Sequence, residues 1–292
     1  MELLAQYVVG GLSTGSLYAL VALGIVLLYR SSRVLNFAHG DLATFATFVA
    51  FTLLTTFRLP FTIASAGSLA TAAVAGAAFY FLILRPARDS TLLGTIVITL
   101  GLALVVNGAV VQIWGADTKV FPFPLSDTKV YRIGSLVISQ VSIGSVFAGL
   151  VLMGLLYVLV QRTRVGLAMR AVSQNLVAAQ ALGIPAKRIF ALTWGLASAL
   201  GAAAGILLAP VTFLDPFMMV DPFLKGFAAA VLGGIDSMPG AVVGGLLLGV
   251  AESVFGGYVS VKFKTTLAFL VIILVLVVRP EGMLGREYRR RV

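Results

Sequence analysis

The chain has 292 residues, of which 60% are apolar and only 11% charged; it carries a formal net charge of +10 and contains no cysteine. Soluble domains hold about 25% charged residues, so this composition excludes an ordinary soluble enzyme and reads as an all-α polytopic membrane protein. Without cysteine there is no disulfide framework, thiol chemistry or thiolate metal site. The basic balance does not indicate nucleic acid, because the charges lie between apolar runs, where they act as topology signals.

Taken in chain order, apolar runs predict membrane spans at residues 4–29, 40–57, 61–84, 92–114, 143–160, 189–214 and 265–278. The last is short, and Phe263 or Val259 begins it. The start, Met1-Glu2-Leu3-Leu4-Ala5-Gln6, lacks the basic n-region of a signal peptide. It reads as uncleaved, with the N-terminus outside. The inside segments then hold Arg30, Arg33, Arg85, Arg88, Arg162, Arg164, Arg170, Lys187, Arg188, Arg279, Arg286, Arg289, Arg290 and Arg291. The outside keeps Arg58, Lys119, Lys129, Arg132, Lys225, Lys262 and Lys264, a bias that follows the positive-inside rule. The C-terminus is therefore expected in the cytoplasm.

Residues 222–258 are embedded but read differently. Parity requires them to enter and leave on one side. Gly233-Gly234-Ile235-Asp236-Ser237-Met238-Pro239-Gly240 is turn chemistry, and the run 223–232 is too short to cross about 30 Å. The expectation is a re-entrant hairpin with its turn at membrane depth; two ordinary spans are the alternative. That makes about eight membrane segments. Glycines recur on the embedded faces, as Gly10, Gly11, Gly15 and Gly24, Gly195, Gly201 and Gly205, and Gly240, Gly244, Gly245 and Gly249, where small residues let helices approach closely.

Enzyme signatures are missing. The single histidine, His39, has no H-E-x-x-H or nucleophile elbow around it, and no phosphate-binding G-x-x-x-x-G-K-[ST] occurs. No catalytic residue, metal site or cofactor is expected in this chain. Polar groups near membrane depth are the functional candidates, because they are costly there. Asn36-Phe37-Ala38-His39-Gly40-Asp41 opens the second span. These groups either cap the helix start, where a carboxylate is favoured, or contact the pathway. Asp236 either satisfies backbone N–H groups of its turn or lines the pathway. Glu252 either pairs with a basic residue of another helix or lies near the outer surface. Asn107 reads as helix glue.

The longest polar connection, about residues 161–188, holds five basic residues and no acidic one, where helix–helix connections usually take 2–8 residues. Residues 166–182 are compatible with one helix of about four turns, with Gly183 as its C-cap and Pro185 as its stop. Leu167, Ala171, Ala178 and Leu182 make an apolar stripe, and Arg164, Arg170 and Lys187 supply charge. Such a helix either lies on lipid or docks in a groove of a soluble partner.

Five ordered blocks carry a resemblance. They are Asn36-Phe37-Ala38-His39-Gly40-Asp41; Arg85-Pro86-Ala87-Arg88; Arg170-Ala171 with Ala181-Leu182-Gly183-Ile184; residues 229–240 of the glycine turn; and Arg279-Pro280-Glu281-Gly282-Met283-Leu284-Gly285. Together they resemble the branched-chain amino acid ABC importer permeases of the LivH type, nearly end to end. The resemblance implies an ABC importer permease fold and a single transmembrane permease domain over residues 1–292. It implies a prokaryotic inner-membrane location, a LivM-like second permease, two cytoplasmic ATP-binding subunits that hold ATP and Mg, and an extracytoplasmic substrate-binding protein. It also makes the long connection the ATPase-coupling segment, with Gly166, Arg170, Ala171, Asn175, Ala178, Leu182 and Gly183 as its candidate residues. Asn36, His39, Asp41 and Asp236 remain the pathway or gating candidates. This chain has Gln174 where some members carry an acidic residue. The same machinery also imports urea, short amides or other amino acids in this family. A self-contained ion-coupled carrier or channel is the alternative from another class.

Overall fold

The computed structural model describes residues 2–87, 91–126, 128–134 and 136–285. Arg88, Arg286, Arg289, Arg290 and Arg291, which weigh in the orientation argument, lie outside the described residues. The elements run α1 (Glu2–Ser32), α2 (His39–Thr55), α3 (Phe61–Phe79), a π-helical turn (Tyr80–Leu84), α4 (Leu92–Trp114), β1 (Val130–Ile133), β2 (Leu136–Ser139), α5 (Gln140–Arg162), α6 (Arg164–Gln174), α7 (Leu176–Ala181), α8 (Ala186–Thr212), α9 (Val220–Gly233), α10 (Met238–Tyr258) and α11 (Lys264–Val278). Among the described residues, six helices are long and apolar enough to cross a membrane: α1, α3 with its π turn, α4, α5, α8 and α10. Five of the seven predicted spans fall on these helices; 40–57 and 265–278 fall on α2 and α11, which at 17 and 15 residues are shorter.

Local chemistry sets the helix ends. Thr91 opens α4 by accepting the Gly94 N–H at 3.1 Å, and Ser237 opens α10 by accepting the Gly240 N–H at 3.1 Å. Gly115, at φ +84°, closes α4. One feature departs from an all-α reading. β1 and β2 pair antiparallel, with Val130 opposite Ser139 and Ile133 opposite Leu136. Their alternation of β-branched and aromatic residues favours strands, but at four residues each the signal is too short to stand out beside the spans.

The chain forms two compact units, each assembled from separate stretches: Met1–Val26, Leu125–Gly149 and Asp221–Val292 in the first; Leu27–Pro124 and Leu150–Val220 in the second. In the first unit, α1 crosses α10 where both carry glycine. A Cβ on Gly11 would lie 2.6 Å from Val250 Cα, and one on Gly245 would lie 2.6 Å from Ala19 Cα. Only hydrogen fits there, so the backbones touch directly.

The same unit holds a buried ion network. Lys225 Nζ lies 2.7 Å from Asp221 Oδ2 and 2.6 Å from Glu252 Oε1. Thr265 Oγ1 donates to Asp221 Oδ1 at 2.8 Å, and the Lys225 ammonium sits 5.6 Å from the centre of the Tyr18 ring. The network thus ties α9 to α10, α11 and α1. Lys225, counted among the outer charges, is buried at 5% exposure. The half-helix α9 begins at Val220, so Lys225 sits one turn in and folds back on its own Asp221. Glu252 takes the expected partnership with a base on another helix.

α9 has 14 residues, about 21 Å at 1.5 Å per residue, short of the roughly 30 Å apolar core. Its hairpin with α10 has the expected turn chemistry, with Gly234 at φ +105°. Met283 N–H donates to Leu232 O at 2.8 Å and Leu284 N–H to Gly233 O at 2.9 Å. α11 starts with Lys264 against Gly256 and runs antiparallel to α10. The chain that follows α11 therefore packs on the turn and caps it.

In the second unit, α2, α3 and α8 meet through Ala46, Ala72 and Ala202. Ser68 Oγ donates to the Ala46 carbonyl at 2.5 Å, and Trp114 Nε1 donates to Thr52 Oγ1 at 2.7 Å. These contacts fix α2 against α3 and α4.

Two predictions test this packing. Gly245→Val should destabilise the chain by about 1–3 kcal/mol through overpacking. Gly101→Val, where a Cβ would meet nothing within 4 Å, should leave the apparent melting temperature in detergent unchanged or slightly raised. Lys225→Met should cost about 3–5 kcal/mol by stranding the buried Glu252, whereas Lys225→Met/Glu252→Leu should recover most of that loss. A double variant no more stable than Lys225→Met would contradict the ion-pair account.

Candidate functional site

α2 does not begin at a helix-bundle end. His39, its first residue, is fully buried and its imidazole lies against Gly201, where a Cβ would come within 3.1 Å of Cε1. Gly201 is about 22 Å along α8 from Ala186. The stretch from Val34 to Ala38 therefore carries non-helical backbone to the level of a helix midpoint. Non-helical backbone is tolerated at such depth only when buried in protein or lining a cavity. Asn36 meets that demand: it is 5% exposed, and its Oδ1 accepts the Ala38 N–H at 3.1 Å.

A second break faces the first. Phe213, at φ +66°, ends α8, and the chain turns inward through Leu214, which pairs with Lys119 in an antiparallel bridge. The Pro216 carbonyl accepts from Asn107 Nδ2 at 2.9 Å. Asn107 lies about 10 Å below the end of α4, so Pro216 is also well inside the level of the helix ends. The same Asn107 nitrogen reaches Asp41 Oδ1 at a longer 3.5 Å. Asp41 is thus brought together with Asn107 and the Pro216 carbonyl, while Asn36 and His39 lie buried in and just after the break that precedes it. A carboxylate, a carboxamide and a backbone carbonyl at one place can hydrogen-bond a small polar solute. Asn107 is the helix glue expected, bonding α4 to Asp41 of α2 and to the Pro216 carbonyl. Pro216 went unread, because a backbone carbonyl leaves no sequence signal.

Asp236 has its own surroundings in the first unit. It is half-buried in the α9–α10 turn, with Oδ1 against Gly285.

The expected coupling segment is helical but not continuous. Asn175, at φ −151° and ψ +102°, separates α6 from α7. It is the C-cap of the first and the N-cap of the second, its Oδ1 accepting the Ala178 N–H at 3.0 Å. An asparagine that can satisfy a backbone donor competes with helix continuation, which is why the single four-turn helix breaks there. Gly183, at φ +81°, closes α7 as expected. Gly166 is required by space, because a Cβ would strike the Leu159 and Val160 carbonyls. Arg170 is half-buried and donates to Gln161 Oε1 at 2.5 Å, pinning α6 to the end of α5.

The segment has an inner apolar face that the sequence reading did not name, and most of the expected docking stripe lies outside it. Met169, Val172 and Ala179 pack with Ala186 and Ile189 of α8, and Ala171 flanks them. Leu167 and Leu182 face away at 60% and 82% exposure, beside Val177 at 77%, and Ala178 is exposed too. The apolar residues alternate between an inner face that holds the segment to α8 and an outer face left bare.

The comparisons with known proteins agree. The family model described as branched-chain amino acid transport system / permease component matches residues 7–278. The permease protein BraD of the high-affinity branched-chain amino acid transport system of Pseudomonas aeruginosa is 34% identical, with 98% of this chain and 97% of that protein covered. LivH of the corresponding Escherichia coli K12 system is 31% identical over the same shares, 98% and 97%. A probable LivH of Methanocaldococcus jannaschii is 28% identical over 96% and 92%. In fold, the chain is similar to one from PsaBC of Streptococcus pneumoniae in complex with Fab, with a TM-score of 0.51, 13% identity and 96% and 93% coverage. With the family model covering the helical body from α1 to α11, this multi-pass membrane protein belongs to the branched-chain amino acid transport system permease family.

Proposed function

We propose that this chain is the permease subunit of an ATP-driven importer of branched-chain amino acids. The carrying observation is the near end-to-end likeness to high-affinity branched-chain amino acid permeases. The polar cluster of Asn36, His39, Asp41 and Asn107 is the pathway constriction, and Asp236 lies in the gating turn. The carboxylate and the N–H groups of the cluster suit the two charged ends of an amino acid.

The energy comes from elsewhere. Two cytoplasmic ATP-binding subunits bind ATP and Mg, and a LivM-like permease completes the pathway. An extracytoplasmic binding protein delivers substrate to this pair in a prokaryotic inner membrane. The N-terminus lies outside and the C-terminus in the cytoplasm, as the basic bias supports. The coupling surface is the outer face of α6 and α7, because bare Leu167, Val177 and Leu182 await a soluble groove. ATP binding shifts this surface and biases the permease between inward and outward access.

Two experiments test the reading. Val177→Asp/Leu182→Asp should abolish association with the ATP-binding subunits while membrane insertion and melting temperature stay unchanged, since both side chains are exposed. Normal association in that variant would remove the interface from this face. Proteoliposomes holding this chain with its second permease, ATPases and binding protein should accumulate labelled leucine only with ATP at the ATPase face. Binding-protein-stimulated ATP turnover without leucine uptake would redirect the substrate to urea, amides or other amino acids. Uptake that survives ATP depletion under an ion gradient would favour a carrier.

A further inference from the structure

A cavity of about 290 Å³ opens where the end of α3, the start of α8 and α7 converge in the second unit. Two cations stand at it, Arg85 and Lys187, both exposed, with the Gln180 amide of α7. Its described lining residues include no Asp or Glu. Tyr80, Phe190 and Trp194 form aromatic walls, with Tyr80 and Phe190 centroids 5.9 Å apart.

Two further observations point to an occupant. Trp194 is fully buried, and its indole N–H has no acceptor among the described residues. A buried unsatisfied donor is costly and marks a missing acceptor. The wall is also built by the π turn: Arg85 N–H donates back to Tyr80 O at 2.8 Å. That wide turn sets both Tyr80 and Arg85 at the cavity, and π turns recur at functional sites.

The volume and the neighbourhood select the chemistry. At about the lower edge of small-molecule pockets, roughly 300–1,000 Å³, the cavity suits a phosphate-bearing headgroup and leaves no room for acyl chains. Those chains have a place beside it. Leu82 and Ile83, next to Arg85 in sequence, are 74% and 44% exposed, and Leu93, near the α4 residue Thr95 that lines the cavity, is 73% exposed. A soluble anion would use the cations but not this apolar flank. Basic pockets between membrane helices on the cytoplasmic side bind anionic lipid headgroups in this manner.

The geometry points to a binding site for one anionic phospholipid, its phosphate held by Arg85 and Lys187 and its headgroup walled by Tyr80, Phe190 and Trp194. Its assignment to the cytoplasmic leaflet rests on the orientation given under Proposed function. Because Gln180 belongs to α7, an occupied site braces the coupling segment against α3 and α8.

Native mass spectrometry of the whole purified chain, titrated with phosphatidylglycerol or phosphatidylcholine, reads the bound lipid directly. One phosphatidylglycerol should be retained in preference to phosphatidylcholine. Arg85→Gln/Lys187→Gln should weaken that retention roughly 10–30-fold. The charge-matched Arg162→Gln/Arg164→Gln should leave it unchanged. All four side chains are exposed, so neither variant threatens the fold. Equal retention in wild type and Arg85→Gln/Lys187→Gln, or equal loss in both double variants, overturns the site. Binding of inorganic phosphate with no retained phosphatidylglycerol overturns the lipid assignment in favour of a soluble anion. The readout involves neither transport nor sidedness. A reversed orientation would show up separately, in cysteine labelling of the exposed Leu182→Cys variant, while lipid retention stands.

Discussion

A polar group removed from water must find a partner inside the protein, and this demand governs each departure from regular helix here. At the break before α2 the Asn36 side chain stands in for the missing helical acceptor. At the break after α8 the Pro216 carbonyl is taken by Asn107. The two solutions share a strand of chemistry, because Asn107 also reaches Asp41. Proline suits the second break for a further reason: it has no N–H to satisfy. The ion network around Lys225 obeys the same demand with full charges. One ammonium answers two carboxylates, and Thr265 takes up a remaining oxygen of Asp221.

The remaining packing is the complement of that demand. Lipid offers no hydrophobic drive between helices, so close van der Waals fit must hold them together. Glycine and alanine supply it, as at Gly245 against Ala19 and at Ala46, Ala72 and Ala202. Gly201 shows the two requirements meeting at one position. Its missing side chain is the space that His39 occupies, so a polar break and a close helix crossing depend on the same residue.

The spans were legible because each is one long apolar run, and an apolar run in lipid has few other conformations to adopt. The turn chemistry of residues 233–240 was legible for a similar local reason. What could not be read was level. Nothing in Asn36-Phe37-Ala38-His39 states that α2 starts beside Gly201 rather than at the end of α8; that follows from tertiary crossing alone. The partnership of Lys225 with Glu252 was not legible, because the two lie 27 positions apart. In the coupling segment, Gly166 and Gly183 were found where the backbone needs them. The inner face of Met169, Val172 and Ala179 that packs on α8 went unnamed, because apolar residues occupy both faces of this segment. Asn175 was noted as a coupling candidate but not as a break, since asparagine tolerates helix interiors often enough to hide its capping role.

The divided coupling segment bears on how force could travel. A loose tether between spans would absorb a push at Leu182. This segment cannot, because α7 is closed by bonds from Gly183 to Gln180 and from Ile184 to Ala179, and Ala186 N–H returns to Ile184 O. The inner face adds a packed core that includes Ala186 and Ile189 at the start of α8. Close-packed interiors transmit displacement rather than damp it. α8 then runs as one helix from that core to Gly201, about 22 Å away, where it touches His39. A displacement of α7 by a docked partner would therefore arrive as a shift of α8 against α2, at the one level where α2 is least anchored by regular backbone bonding. α6 shares that core through Met169 and Val172 and is also held to α5 by Arg170 and Gln161, so α6 and α7 press on the start of α8 together.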